Sequence, residues 1–289
     1  MNDRYAHVQQ LASTHPVVGL CALLGVSRSG YYAWHGRGPS PRQQEDARLG
    51  EQIETLFRQT RQVYGRLRLT HALRARGQTC GPRRVGRLMR ARGLCARPRP
   101  RFRPQTTDSR HAGPIAPNRL AERPAAPTRP NQVWVTDFTY IPTAEGWLFL
   151  AVVLDRHSRR VVGGAFGVGL TSALAVAALG MALRQRHPAR GVLHHSDRGC
   201  QYASADYRAY LSQHGLVPSM SRSGNPYDNA AMESFYSTLK IECLHRQDFA
   251  TRAEAQAVAF DYIETFYNRE RFHSALGYKS PVDFEQPLN

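Results

Sequence analysis

Three acidic residues stand where a carboxylate needs a reason to be. Asp137 interrupts the apolar run VWVTDFTYI at 133–141, and a charge among Val133, Trp134, Val135 and Phe138 is costly unless a cation or hydrogen bonds hold it. Asp197 closes the short run GVLHHSD, and the carboxyl edge of an α/β sheet is where ligands gather. Glu233 follows the turn SRSGNPYDN and lies at the border of a helical stripe made by Met232, Phe235, Tyr236, Leu239 and Cys243, so it can face that edge. Carboxylate oxygens suit hard cations, magnesium or manganese. Two such ions about 3.5–4 Å apart activate an attacking oxygen and stabilise the leaving one during in-line phosphodiester displacement. Taken singly, each residue also has a plainer reading: Asp137 as a satisfied core residue, Asp197 as a turn cap, Glu233 as a solvated helix residue. Asp155, Asp206 and Asp228 read as a hairpin turn, a helix start and a helix cap. His194 and His195 are neighbours on a strand and face opposite sides, so at most one looks into such a site.

The elements that must position these residues follow from periodicity. Runs at 133–141, 147–155 and 161–166 are separated by turn residues and predict three antiparallel strands. An Ala- and Leu-rich helix over 171–186, the strand ending at Asp197, a helix near 204–214 and the run LVPSM complete a mixed α/β sheet.

Charge divides the 289 residues sharply. Residues 1–130 hold 24 Arg and Lys against 7 Asp and Glu, whereas residues 131–289 hold 15 against 15, so the whole net charge of +17 sits in the first part. A polyanion, nucleic acid first of all, is the expected partner of that part. Within it, VVGLCALLGVSRSGYYAW fits a helix-turn-helix whose second helix starts near Arg28 under a Ser27 cap, and fits an ordinary helical hairpin as well. Apolar stripes predict three further helices near 43–59, 66–76 and 82–92. The last carries Arg83, Arg84, Arg87, Arg90 and Arg92 around Val85, Leu88 and Met89, as a helix lying in a major groove would. Residues 97–131 combine repeated prolines with eight arginines and read as an extended basic linker. The five cysteines form no CxxC pair, which argues against a zinc knuckle or a disulfide framework. No signal-peptide pattern or membrane-length apolar run is present, so secretion and membrane insertion are not expected.

Together, WVTDFTYI, HHSDRGCQY and SGNPYDNAAMESFYSTLKIE resemble the three catalytic boxes of bacterial insertion-sequence transposases of the DDE class, in particular the second-frame (OrfB-type) protein of the IS-three family. Thirty-five residues separate Asp197 from Glu233, as in that family's pattern. YNRERFHSALGYKSPVDF resembles its closing segment, and YGRLRLTHALRARG with RRVGRLMRARGL its N-terminal helical module. The resemblance implies an α/β fold, an RNase H-like mixed-sheet core preceded by all-α helix-turn-helix modules. The expected boundaries are 1–40 for the helix-turn-helix, 43–96 for the three-helix module, 97–131 for the linker, 132–248 for the integrase-like core and 249–289 for its helical extension. It implies Asp137, Asp197 and Glu233 as ligands of two Mg2+ or Mn2+ ions. The expected activity is nicking at the element's terminal inverted repeats and transfer of the freed 3′ hydroxyl to target DNA, without a covalent protein–DNA intermediate. Expected DNA contacts are Arg28, Arg83, Arg84, Arg87 and Arg90, together with Lys240, two helical turns beyond Glu233 on the same face. Lys240 has a plainer reading, a solvated lysine pairing with Glu242. Expected partners are the DNA, further copies of the chain on paired ends, and the upstream-frame protein, by fusion or by binding, since no heptad run is present here. The expected location is the bacterial cytoplasm, at the nucleoid. Two rival readings are a non-catalytic, domesticated or regulatory DNA-binding derivative and an RNase H-type nuclease that cuts without joining.

Overall fold

A computed structural model describes residues 2–96, 113–122, 126–222 and 229–286. The chain divides into two compact units, Met1–Gln62 with Ala72–Cys95, and Val63–His71 with Ala96–Asn289. Among the described residues no helix is long and apolar enough to cross a membrane.

The first unit is helical. Helices α1 (Asn2–Leu11), α2 (Val17–Leu23) and α3 (Arg28–His35) close on Tyr5, Val8, Leu20, Cys21 and Tyr31. Ser27 caps α3 through the Gly30 N–H at 3.0 Å, as its position before Arg28 predicts. Helix α1 carries too weak an apolar stripe to be expected from the sequence, and Tyr5 and Val8 supply its buried contacts among the described residues. Helix α4 (Pro41–Gln59) begins with a reciprocal cap in which Ser40 Oγ accepts the Gln43 N–H and Gln43 Oε1 accepts the Ser40 N–H. Helix α5 (Arg66–Ala75) belongs to this unit only from Ala72 onward, and α6 (Pro82–Ala91) turns Val85, Leu88 and Met89 inward, with α4 contributing Leu49, Ile53, Leu56 and Phe57 to the buried set.

The second unit is built on a five-stranded sheet of order β3-β2-β1-β4-β5, with β1 Val133–Thr143, β2 Gly146–Asp155, β3 Val161–Gly167, β4 Leu193–Ser196 and β5 Val217–Met220. The first three strands are antiparallel, and β1, β4 and β5 run parallel. This is the mixed sheet of an RNase H-like fold. One face packs Trp134, Ala151, Val153 and Val162 under α7 (Ser172–Arg186), α8 (Cys200–Ala203) and α9 (Ala205–Gln213). Gly163 is required there, since a Cβ would lie 2.3 Å from the Ala178 carbonyl oxygen of α7. Side chains alternate along a strand, so Leu150, Val152 and Leu154 point to the other face, where α10 (Ala230–Glu242) packs on β1 and α11 (Arg252–Asp261) on β1 and β2. Asp155 is fully buried and closes the β2–β3 turn by accepting the N–H groups of Asn131, His157 and Ser158, which is the plainer role its sequence suggests.

The C-terminal segment ties the sheet down. A π-helical stretch, Tyr262–Tyr267, continues α11, and the buried Asn268 both accepts from and donates to the backbone of Val161 on edge strand β3. Helix α12 (Pro281–Glu285) ends in Glu285, which Arg186 grips with two hydrogen bonds and Arg160 with a third. The segment expected to be a linker is partly docked: Leu120 is buried with Val133 and Leu193, and its N–H reaches Ser219 Oγ at 3.3 Å. Among its described residues the apolar anchors are Leu120 and the partly buried Ala116, too little to register against eight arginines.

Candidate active site

The register of the parallel strands brings two of the expected carboxylates together. The last pair between β1 and β4 is Val135 with His195, and two residues beyond it, on both strands, stand Asp137 and Asp197. Asp137 is still within β1, Asp197 directly follows the end of β4, and the two are near enough for the Asp197 charge to act on Asp137. Strand β4 stops at Ser196 whereas β1 continues to Thr143, so the β1 edge is free of β4 from Asp137 onward. The Tyr236 hydroxyl of α10 donates to the Asp137 carbonyl oxygen on that stretch.

Asp137 accepts the Phe138 N–H on Oδ1 at 2.8 Å. Burial of its carboxyl, reinforced by the charge of Asp197 and then of Glu233, pushes its pKa up to about 8. Asp197 accepts the Gly199 N–H at 2.9 Å, which folds the loop after β4 back on itself. A Cβ on Gly199 would stand 3.1 Å from that carboxylate oxygen, so a glycine serves here. Tyr202 and Tyr236 have their hydroxyl pKa values raised by burial and then by the Asp137 and Asp197 charges, which places both rings beside the pair.

Glu233 is exposed on the first turn of α10. Its charge bears on Asp137, yet among the described residues no group of three or more His, Cys, Asp or Glu is close enough to hold a metal ion. The structure thus joins two of the three expected ligands and presents the third from the neighbouring helix. Helix α10 is fixed by buried Met232, Phe235, Tyr236 and Leu239 and, at its far end, by Glu242. Burial works against the Glu242 charge, but two hydrogen bonds from Arg271, one from Tyr262 and one from Arg68 hold its pKa below the usual range. That set of partners leaves the pairing of Lys240 with Glu242 without support. Lys240 instead places its ammonium 5.0 Å from the centre of the Tyr140 ring, where burial lowers its pKa and the Asp137 charge opposes the fall.

The two histidines are accounted for otherwise. His194 is buried against the Tyr207 hydroxyl at 3.1 Å, and burial drives its pKa down to about 3. His195 meets Ser219 on Nδ1 and Ser221 on Nε2. Asp206 lies in the first turn of α9, and Asp228 lies outside the described residues. Residue types fit a hard cation: two neighbouring carboxylates whose charges oppose each other form an oxygen donor set that gains from a divalent ion.

In the helical unit, Arg28, Arg83, Arg87 and Arg90 are exposed, while Arg84 is half-buried. Arg84 bonds Glu45 and Asp46 of α4, and Arg87 also reaches Asp46. Asp46, 38 and 41 positions before Arg84 and Arg87, and Glu45, 39 positions before Arg84, gave no local sign of this neutralisation. Tyr140, Trp147, Tyr236 and the Glu242–Arg271 pair also escaped sequence reasoning, since each depends on contacts between elements distant in the chain.

Comparison with known proteins agrees with this architecture. Integrase core domain models match residues 127–226 and 214–281, and an HTH-like domain model matches residues 43–102. The chain is 48% identical over 267 residues to the insertion element IS600 uncharacterized 31 kDa protein of Shigella sonnei, covering 92% of this chain and 97% of that one. It is 41% identical over 284 residues to transposase InsF for insertion sequence IS3A of Escherichia coli (strain K12), covering 98% of each. Among solved structures, the HTLV-2 integrase catalytic core domain in complex with magnesium aligns with a TM-score of 0.42 and 14% identity, over 55% of this chain and 99% of that chain. With an HTH-like domain, an integrase core and near-complete coverage of such relatives, the chain belongs to the IS3-type InsF transposase family.

Proposed function

We propose that this transposase-family chain binds the terminal inverted repeats of its element, nicks the DNA there and joins the freed 3′ hydroxyl to target DNA. The observation that carries the reading is Asp137 on β1 beside Asp197, which directly follows the neighbouring parallel strand β4, with Glu233 and Lys240 on α10. These three carboxylates would hold Mg2+ or Mn2+, two ions in the full reading, which supply activation of the attacking oxygen and stabilisation of the leaving one. The protein's own part is to fix oxygen ligands on rigid elements and to hold the reacting phosphodiester near them. Lys240, half-buried and beside Asp137, grips a phosphate adjacent to the scissile one. Arg28, Arg83, Arg87 and Arg90 bind backbone phosphates, and Arg84 contributes mainly by fixing α6 to α4.

In nicking, a P–O bond to water's oxygen forms as the bond to the 3′ oxygen breaks, and that oxygen leaves as a hydroxyl. In transfer, the same hydroxyl attacks a target phosphorus and displaces the target's 3′ oxygen. Each step is one in-line displacement, so no covalent protein–DNA intermediate arises. The reading includes further copies of the chain on paired ends, the upstream-frame product as a partner, and action at the bacterial nucleoid. Incubating the full chain with labelled terminal-repeat DNA, a target plasmid and magnesium tests it. Nicks at the repeat boundary and joined products are expected, both abolished by EDTA. Binding without any cleavage would leave the non-catalytic derivative instead, and cleavage without joining the nuclease.

A further inference from the structure

The far end of the β1–β2 hairpin presents aromatic surface next to the site just described. Trp147 remains 51% exposed although it opens a strand, and its ring meets Tyr140 edge-on, with centroids 4.9 Å apart and planes at 84°. Tyr140 pairs with Phe149 and Pro142 with Trp147, so the two aromatics are diagonal neighbours on one face of the hairpin. The Tyr140 ring also receives the Lys240 ammonium, and Lys240 feels the charge of Asp137. A cation, a tyrosine and a half-exposed tryptophan are therefore in successive contact, Lys240 on Tyr140 and Tyr140 on Trp147.

The support beneath Trp147 is rigid. Arg252 Nε donates to the Trp147 carbonyl at 3.1 Å, and its Nη2 donates to the Glu145 carbonyl. The Arg252 N–H bonds the Glu145 carboxylate, and Ala144 N–H reaches the Phe249 carbonyl at 2.9 Å. The backbone of the hairpin tip is thus pinned to the start of α11 while the indole stays open to solvent. An isolated exposed tryptophan is unremarkable. One held on a braced turn, against a tyrosine that itself receives a cation, has the composition of a single-strand stacking site: aromatic faces for bases and a positive charge for the backbone.

We propose that Trp147, with Tyr140 behind it, stacks an unpaired base of the DNA strand end being processed. The proposal rests on the DNA-nicking reading and specifies how the strand is held. Three residues of strand from Asp137 to Tyr140 span about 10 Å, close to the rise of three stacked nucleotides at about 3.4 Å each. The base concerned therefore belongs within about three nucleotides of the scissile phosphate. Holding it out of the duplex frays the end and lets the phosphodiester approach the carboxylates.

The test compares binding of the full chain to two probes: a duplex carrying the terminal repeat with its last three base pairs intact, and the same duplex with those three positions mismatched. Wild type is expected to prefer the mismatched end. Trp147→Ala should lose that preference by about 5- to 150-fold, the range expected for one stacked base. Trp147→Phe should keep most of it, which separates lost stacking from a misfolded hairpin. With 5-iodouracil at the mismatched positions, photo-crosslinks should map to Trp147. Equal affinity of wild type for both probes, or an undiminished preference in Trp147→Ala, overturns the proposal. Because the readout is binding, a chain that prefers the frayed end but never nicks DNA keeps the stacking site and loses the catalytic reading. The opposite result loses the stacking site alone.

Discussion

Replacing Asp137 by asparagine should stabilise the folded chain while removing its response to magnesium. The carboxyl pKa rises from 3.8 to about 8 on folding, through burial first and Asp197 second. At 1.36 kcal/mol per pH unit the rise sets a ceiling of about 6 kcal/mol on the cost of ionising this group in the fold. Relaxation and water entry reduce such costs, so about 1–3 kcal/mol is the expected gain from an uncharged amide of the same shape. The sign follows from the direction of the shift. A carboxyl whose folded pKa exceeds its unfolded value contributes full stability below about 4, and that contribution is lost as pH rises through about 8. The advantage of Asp137→Asn over wild type should therefore be absent at pH 4, grow through neutrality and level off above pH 8. For a unit of about 200 residues it corresponds to a rise in Tm of roughly 2–10 °C at pH 8. Melting curves of the full chain from pH 4 to 9, with and without 10 mM magnesium, read both effects. Magnesium should raise the wild-type Tm at pH 8 and leave Asp137→Asn unmoved. A variant no more stable at pH 8 than at pH 5, or equal magnesium effects on both proteins, would refute the assignment of Asp137 as a strained ligand.

Other expectations follow from the packing and charge. Arg271→Ala leaves Glu242 buried without its two strongest hydrogen bonds, so the chain should lose about 3–5 kcal/mol and melt roughly 10 °C lower by calorimetry. Replacing Arg83, Arg87 and Arg90 together by alanine should lower the slope of log affinity against log salt by about 2–3 on any duplex sequence, measured by titration at several salt concentrations. Lys240→Ala should reduce nicking and end-proximal binding together by about 10- to 100-fold, the worth of a charge-assisted contact, whereas Lys279→Ala should matter far less in the same gel assay.

Much of this architecture was legible because its signals are local. The helices over 43–59, 66–76 and 82–92 emerge as Pro41–Gln59, Arg66–Ala75 and Pro82–Ala91, since each stripe comes with its own caps, Ser40 and Pro41 before the first and Pro82, Gly93 around the last. The three antiparallel strands likewise follow from alternating apolar runs broken by turn residues. Asp137 attracted notice because a charge amid Trp134, Val135 and Phe138 contradicts its surroundings, and its raised pKa is the energetic form of that contradiction. What stayed hidden depends on distant contacts. Arg84 looked like a free cation until Asp46, 38 residues earlier, occupied it. Residues 63–71 read as part of the helical module, yet Tyr64 donates to the Glu270 carbonyl and accepts the Phe272 N–H, so they pack with the sheet-bearing unit. Trp147 read as the apolar start of a strand, and only the diagonal contact with Tyr140 and the position of Lys240 give it a neighbourhood.

Nicking and end binding measured side by side for Asp137→Asn, Asp197→Asn and Glu233→Gln test the central claim most directly. With labelled terminal-repeat DNA and magnesium, each variant should lose nicking and 3′ joining while its affinity for the end stays within about threefold of wild type, because phosphate affinity resides in the arginines. Substantial cleavage by any one of the three would contradict its assignment as a ligand of the reacting centre, and Glu233, presented from α10 apart from the aspartate pair, is the position at which that contradiction would be most informative.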